Sequence, residues 1–341
     1  MKTAVIFSFS ARGRETALYL ATVLDEKYEC QLFAPEKYEE GRVKALPDRI
    51  GIFTGKVFAH TDVLIYVGAC GIAVRAIAPY IKSKVVDPAI ICVDERATFC
   101  ISLLSGHIGG GNQLTRELAE KIHAIPVITT ATDINHRFSV DEWASRKGFW
   151  IEDMTVAKEV SSAILEKNVP ICSDKAITGE LPKGLLIDET GNIGISVSIY
   201  QKRPFDKTLA IVPSVLTLGI GCRRGTPLEK IEEAVRKVFQ EQRLNWHAIE
   251  KVASIDLKAE EQGLQVFCEK YAIPAIFYTA EQLSKVQGKF TRSDFVQKVT
   301  GVDNVCERSA VASGGRLIVK KTACDGVTVA VAERDWVLDF G

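Results

Sequence analysis

The side chains best suited to proton chemistry in this chain lie in short glycine-rich stretches. LLSGHIGGGN at 103–112 sets His107 between Ser105 and a run of glycines. An imidazole with an ordinary pKa of about 6.5 suits proton transfer near neutrality, and glycine-rich backbone ahead of a helix is tolerated where a ligand or another backbone comes close. The plainer alternative is a histidine that caps or orients its loop. TTATD at 129–133 ends in Asp133, a carboxylate that could orient the imidazole or a water, or simply serve a turn. The hydroxyls of Ser105 and Thr130, and the backbone N–H groups around Gly109, Gly110 and Asn112, are candidate donors to an oxyanion.

Basic residues sit in comparable settings. GIGCRRG at 219–225 places Gly221, Arg223 and Arg224 between an apolar run and a helical pattern, where a helix amino terminus favours anions. Its spacing also resembles a dinucleotide fingerprint, but 241–245 holds no clear strand before its acidic residue; a tight turn is the third reading. Arg75, in GACGIAVR at 68–75, and Lys258 are further cations placed at the ends of elements. Cys70 and Cys222 occupy strand-to-helix turns, where a thiolate is favoured, although a small buried turn residue is the favoured explanation. Dispersed histidines and the absence of paired cysteine spacing give no zinc pattern, so no protein-bound metal is expected.

The elements that must position these groups follow from periodicity. Apolar runs at 3–9, 30–33, 63–67, 90–93, 99–104 and 126–128 read as strands, with helical patterns at 14–24 and about 112–123 between them. Such alternation implies a mostly parallel sheet, and loops leaving the carboxyl ends of its strands line a binding crevice. On that basis the loops at 68–75, 105–112 and 129–133 are expected to converge on one ligand. Between 139 and 213 a helix at 156–166 precedes two short runs, 184–187 and 193–199, whose ETGN link reads as a hairpin. From 214 a second α/β pattern begins, with strands at 215–220, 275–278, 317–319 and 327–331. Its helix, 227–239, is expected to start with Thr226 as N-cap and Glu229 closing a capping box. The expected class is α/β: two α/β domains (1–138 and 214–341) with mostly parallel or mixed sheets, joined by a small mixed α+β middle segment (139–213).

Composition narrows the function. Among 341 residues, 43 Lys+Arg balance 43 Asp+Glu, so no bulk field draws the chain to nucleic acid or an anionic membrane. Nine scattered cysteines without a signal-peptide pattern point to reduced thiols and a cytoplasmic protein.

These stretches, together with VCE at 305–307, resemble the cobalt-precorrin-5A hydrolase (CbiG) family of the anaerobic cobalamin pathway nearly end to end. The chain departs from the family's usual pattern at Cys70 and Gly111, both small changes, the first of which weakens any thiolate mechanism. The resemblance implies opening of the δ-lactone of cobalt-precorrin-5A by water and release of the two-carbon fragment as acetaldehyde. Cobalt travels in the substrate and no cofactor is needed. Arg75, Gly109, Gly110, Asn112, Gly221, Arg223, Arg224, Lys258 and Glu307 are then expected to bind the polycarboxylate macrocycle, with His107 as base or proton shuttle and Asp133, Ser105 and Thr130 assisting. The expected partners are the corrinoid, a second copy of the chain and, transiently, neighbouring pathway methyltransferases. A non-catalytic tetrapyrrole carrier of the same pathway is the alternative.

Overall fold

Strand β1 (Lys2–Ser8) sends alternate side chains into two different cores. Ala4 and Ile6 face one, Val5 and Phe7 the other, all at most 3% exposed. A strand buried on both faces needs this unbroken apolar pattern, and burying one such side chain contributes about 2 kcal/mol. In this computed structural model, residues 1–83, 86–107 and 109–341 are described; Ile108 of the glycine stretch lies outside them.

Beside β1 the chain lays down β2 (Tyr28–Ala34), β3 (Val43–Ala45), β4 (Val63–Val67), β5 (Ala89–Val93), β6 (Phe99–Leu104) and β7 (Ile125–Val127), with helices α1 (Ala11–Leu24), α2 (Ile50–Phe58), α3 (Cys70–Ile77) and α4 (Gly111–Ile122). They form one sheet in the order β3-β2-β1-β4-β5-β6-β7. Helices α1 and α4 cover one face, α2 and α3 the other. The first five strands run parallel. Strand β6 then turns back on β5, and β7 follows β6. The reversal is local: the Asp94 carboxylate accepts from the N–H groups of Arg96 and Phe99 at 2.9 and 2.6 Å, and Ala97 takes a φ of 55°. Asp94 is thus a turn residue.

After β7 come α5 (Ala131–Ile134) and α6 (Val140–Arg146), then β8 (Trp150–Ile151), α7 (Met154–Glu166), β9 (Val169–Ser173), β10 (Leu185–Ile187), β11 (Ile193–Val197) and β12 (Lys207–Val212). The second sheet has the order β10-β9-β11-β12-β8. Here the expected hairpin does not form. Strands β10 and β11 both pair in parallel with β9, which lies between them. The linking residues instead wrap the Asp188 carboxylate, which accepts from the N–H groups of Glu189 and Thr190.

The last sheet, β15-β14-β13-β17-β16, contains β13 (Leu216–Cys222), β14 (Ile249–Ile255), β15 (Ala275–Tyr278), β16 (Arg316–Cys324) and β17 (Val327–Glu333). Its helices are α8 (Leu228–Glu241), α9 (Gln262–Lys270), α10 (Ala280–Lys285), α11 (Asp294–Thr300) and α12 (Cys306–Ala312). The three strands β13, β14 and β15 are parallel, while β17 runs against both β13 and β16. Helix α8 begins with Pro227 as its cap, so the expected Thr226 capping box is absent. The Thr226 hydroxyl donates back to the Arg223 carbonyl at 2.8 Å, closing the glycine loop.

The chain divides into two compact units, 1–143 and 144–341. Inside the second, the middle and last sheets share a core. Trp150 stacks on His247 at 3.5 Å, and Ile199 and Val212 pack with Val235 and Phe239 of α8. Among the described residues, no helix is long and apolar enough to cross a membrane.

Candidate functional site

In the first unit the residues of the glycine stretch fold around one imidazole. His107 Nε2 lies 3.2 Å from Asp133 Oδ2, and Nδ1 lies 3.3 Å from Asp141 Oδ1; the side chain is 18% exposed. Burial alone would lower the imidazole's pKa, but the bonds to Asp133 and Asp141 outweigh it and lift it from 6.5 to about 9. The ring is therefore an imidazolium at neutral pH, with both nitrogens donating. Asp133 also accepts from Thr130, Arg116 and Asn112. Burial opposes its ionisation, yet the His107, Thr130 and Arg116 donors hold its carboxyl well below the usual carboxylate range.

This geometry corrects several expectations. An imidazolium has no lone pair to accept a proton, so His107 in this state is an acid and not a base. Ser105 is 7% exposed and its Oγ is sealed from solvent. The N–H groups of Gly110, Gly111 and Asn112 donate to the carbonyls of His107, Ser105 and Gly106, which leaves them unavailable to an oxyanion. Asn112 is 2% exposed, and its amide serves Thr130 and Asp133 at 2.9 Å each. The glycines here answer to packing. A Cβ on Gly106 would come within 2.4 Å of Asn112 Oδ1, and one on Gly109 within 2.6 Å of Ser105 Cβ. Gly110 takes the left-handed cap position with φ 74°. Of the predicted substrate contacts in this stretch, Gly109 lines a cavity of about 450 Å³ with Lys2, Asp62 and Asp87.

Two members of the cluster escape the sequence reading. Arg116 stands one helical turn after Asn112, and that i+4 spacing is a signal that could have found it. Asp141 carries no comparable mark. Atoms of His107, Asp133 and Glu142 lie within 4.8 Å of one another, a spacing compatible with a metal ion. However, Asp133 Oδ2 already faces three donors and Oδ1 a guanidinium, so the cluster is closed by its own hydrogen bonds.

The three loops do not converge. Residues 68–75 follow the carboxyl end of β4, whereas 105–112 and 129–133 follow β6 and β7, which run the other way. The Asp94 turn therefore places Arg75, exposed on α3, at the opposite edge of the sheet from His107. At Arg75's edge the Ser10 hydroxyl donates to Glu95 at 2.6 Å.

The second unit presents a different kind of site. Loop 222–226, the first turn of residues after β14, α11 and strands β16 and β17 enclose a cavity of about 560 Å³. Arg223, Arg224, Lys258 and Lys321 reach it, while Ile255, Phe295, Val299 and Val327 make its wall apolar. Gly221 belongs to its floor because a Cβ there would strike Thr328 Oγ1 at 2.7 Å. Gly219 is excluded from any ligand role: its Cβ would lie 1.7 Å from the Cys306 carbonyl oxygen, so it exists to let α12 approach β13. Gly225, with φ +73°, donates its N–H to Glu261, which also pairs with Lys258 at 3.0 Å. A protein carboxylate thus occupies an amide that a dinucleotide pyrophosphate would need. Burial pushes the Cys222 thiol up, against a nucleophilic role. Glu307 is a correction as well. Fully buried, it accepts from Thr291, Asn304 and the Lys321 N–H, tying the segment at 291 and β16 to α12, out of reach of substrate.

Comparison with known proteins places both regions. Residues 53–133 match the family model described as Cobalamin synthesis G N-terminal, and residues 216–332 the one described as Cobalamin synthesis G C-terminus. The cobalt-precorrin-5A hydrolase of Salmonella typhimurium is 34% identical over 345 residues, covering 97% of each chain. This chain belongs to the CbiG family. A second CbiG-like relative, the cobalt-precorrin-5A hydrolase of Priestia megaterium, is 28% identical over 96% of this chain and 94% of its own. Protein CobE of Sinorhizobium sp is 32% identical over 121 residues, 34% of this chain and 79% of that one. Within the CbiG chain, the N-terminal match contains His107, Arg116 and Asp133 but stops short of Asp141, and the C-terminal match contains the whole basic cavity.

Proposed function

We propose that this chain is a cobalt-precorrin-5A hydrolase of anaerobic cobalamin biosynthesis, opening the δ-lactone of its substrate and releasing acetaldehyde to give cobalt-precorrin-5B. The observation that carries the reading is the cavity of the second unit, with four cations around an apolar wall. It suits a flat conjugated ring edged with acetate and propionate carboxylates. Cobalt is cargo of the substrate. Water adds to the lactone carbonyl and the acyl C–O bond breaks, leaving a carboxylate and a secondary alcohol. Loss of the hydroxyl proton then allows the carbon–carbon bond to the macrocycle to break. Its electron pair passes into the ring, and the departing fragment becomes acetaldehyde.

Both ring N–H groups of His107 are given to Asp133 and Asp141, so in this reading His107 is the charged centre of the first unit's hydrogen-bond cluster, with Thr130 and Arg116 keeping Asp133 ionised, and it is not assigned the proton transfer. Incubation of the purified chain with cobalt-precorrin-5A, with acetaldehyde followed by a coupled alcohol dehydrogenase, tests the activity; a carrier would bind the corrinoid and release no aldehyde.

A further inference from the structure

Two large apolar side chains on the cavity's rim are left in water. Phe295 is 75% exposed and Val299 61%, one turn apart on the same side of α11. Their neighbour Val296 turns inward, packing against the cluster of Ile255, Leu283, Val302 and Val305. Helix α11 is therefore anchored by one face and presents a second apolar face that packing of this unit does not use. The charges around it are also uncommitted. Among the described residues, Arg223, Arg224 and Lys321 have no carboxylate within ion-pair distance, while nearby Lys230 pairs with Asp325 and Arg308 with Asp303. An exposed apolar face bordered by unpaired cations is complementary to a flat ring with acidic edges.

We propose that α11 is the platform for the macrocycle, with Phe295 and Val299 against the ring face and Arg223, Arg224 and Lys321 taking carboxylates from its rim. The assignment rests on the corrinoid reading above and adds the residues that set affinity for the ring plane as distinct from its charge. The two contributions separate experimentally, since aromatic and aliphatic contact is indifferent to salt and the cation contribution is screened by it.

The test is a visible-absorbance titration of the full-length protein with a cobalt corrin bearing free peripheral carboxylates, and with its fully esterified counterpart. Phe295→Ala and Val299→Ala, at exposed positions where folding is undisturbed, are expected to weaken binding of both corrins about tenfold each. Arg223→Glu with Arg224→Glu should weaken the acid form more than tenfold, remove the loss of affinity with added salt that wild type shows, and leave the ester unaffected. Lys158→Glu, on exposed α7 surface, serves as the charge control and should change neither. Wild-type affinity in the Phe295 and Val299 variants, or no binding of either corrin by the wild-type chain, overturns the platform. Acetaldehyde release is scored in parallel. A wild-type chain that binds corrin through α11 but releases no aldehyde sinks the hydrolase reading alone; release with KM unchanged in Phe295→Ala sinks the platform alone.

Discussion

Replacing His107 by glutamine removes a charge from between two carboxylates while keeping a side chain of similar reach. The rise of the imidazole's pKa from 6.5 to about 9 corresponds to roughly 3 kcal/mol of preference for the charged form in the folded chain. Water reaches 18% of the side chain, and discounting for its screening leaves about 2 kcal/mol as the working figure. Because the folded pKa lies above the unfolded one, this stabilisation is complete below pH 6.5, where both states are protonated. It fades as pH rises through about 9. Urea unfolding of wild type and His107→Gln between pH 5.5 and 10 should accordingly show a stability gap that is widest near pH 6 and shrinks steadily toward pH 10. Working above pH 5.5 keeps Asp133 ionised in both states, so its own titration does not enter. A gap that stayed constant across this range would mean that folding does not shift the His107 pKa, and one that grew with pH would mean a neutral ring in the folded chain; either would require the imidazolium clamp to be abandoned.

Other expectations follow from single contacts. Arg116→Ala removes a half-exposed guanidinium from Asp133 and should cost about 0.5–1 kcal/mol at pH 6; because Asp133 is held ionised well below the usual carboxylate range, the loss should persist down to about pH 4 when melting is followed against pH. Gly219→Ala forces a methyl into the Cys306 carbonyl and should destabilise the second unit by about 3 kcal/mol, whereas Gly225→Ala meets no atom and should cost only about 1 kcal/mol for its positive φ; thermal melts of the pair compare the two. Glu307→Gln replaces one of the acceptor oxygens of a fully buried carboxylate by a donor and should cost about 2–3 kcal/mol in urea unfolding. If Glu307→Gln instead left stability intact and weakened corrinoid binding, its placement as an internal clip would be wrong.

Individual elements show why parts of this protein can be read from sequence. The run at 63–67 is β4, because five consecutive apolar side chains between turn residues have few other ways to be buried, and that at 99–104 is β6 although Ser102 interrupts it and only Cys100 is buried. The strand Ile249–Ile255 escapes the same reading, since Glu250 and Lys251 interrupt its apolar pattern. The glycines of 219–225 are visible as a motif, but their reasons differ one by one: approach of α12 at Gly219, the Thr328 hydroxyl at Gly221, a positive φ at Gly225.

Sequence by itself determined the α/β class, the buried runs, the glycine-rich turns and the family, because these depend on local side-chain periodicity and on the identity of neighbouring residues. It could not determine strand direction. Periodicity is the same read either way along a strand, and only the pairing of β6 against β5 carried the His107 loop to the edge away from Arg75. The charge state of His107 was also a tertiary outcome. Its two carboxylates come from positions 133 and 141, and a lifted imidazole pKa exists only once folding has removed water and set both oxygens within 3.3 Å of the ring.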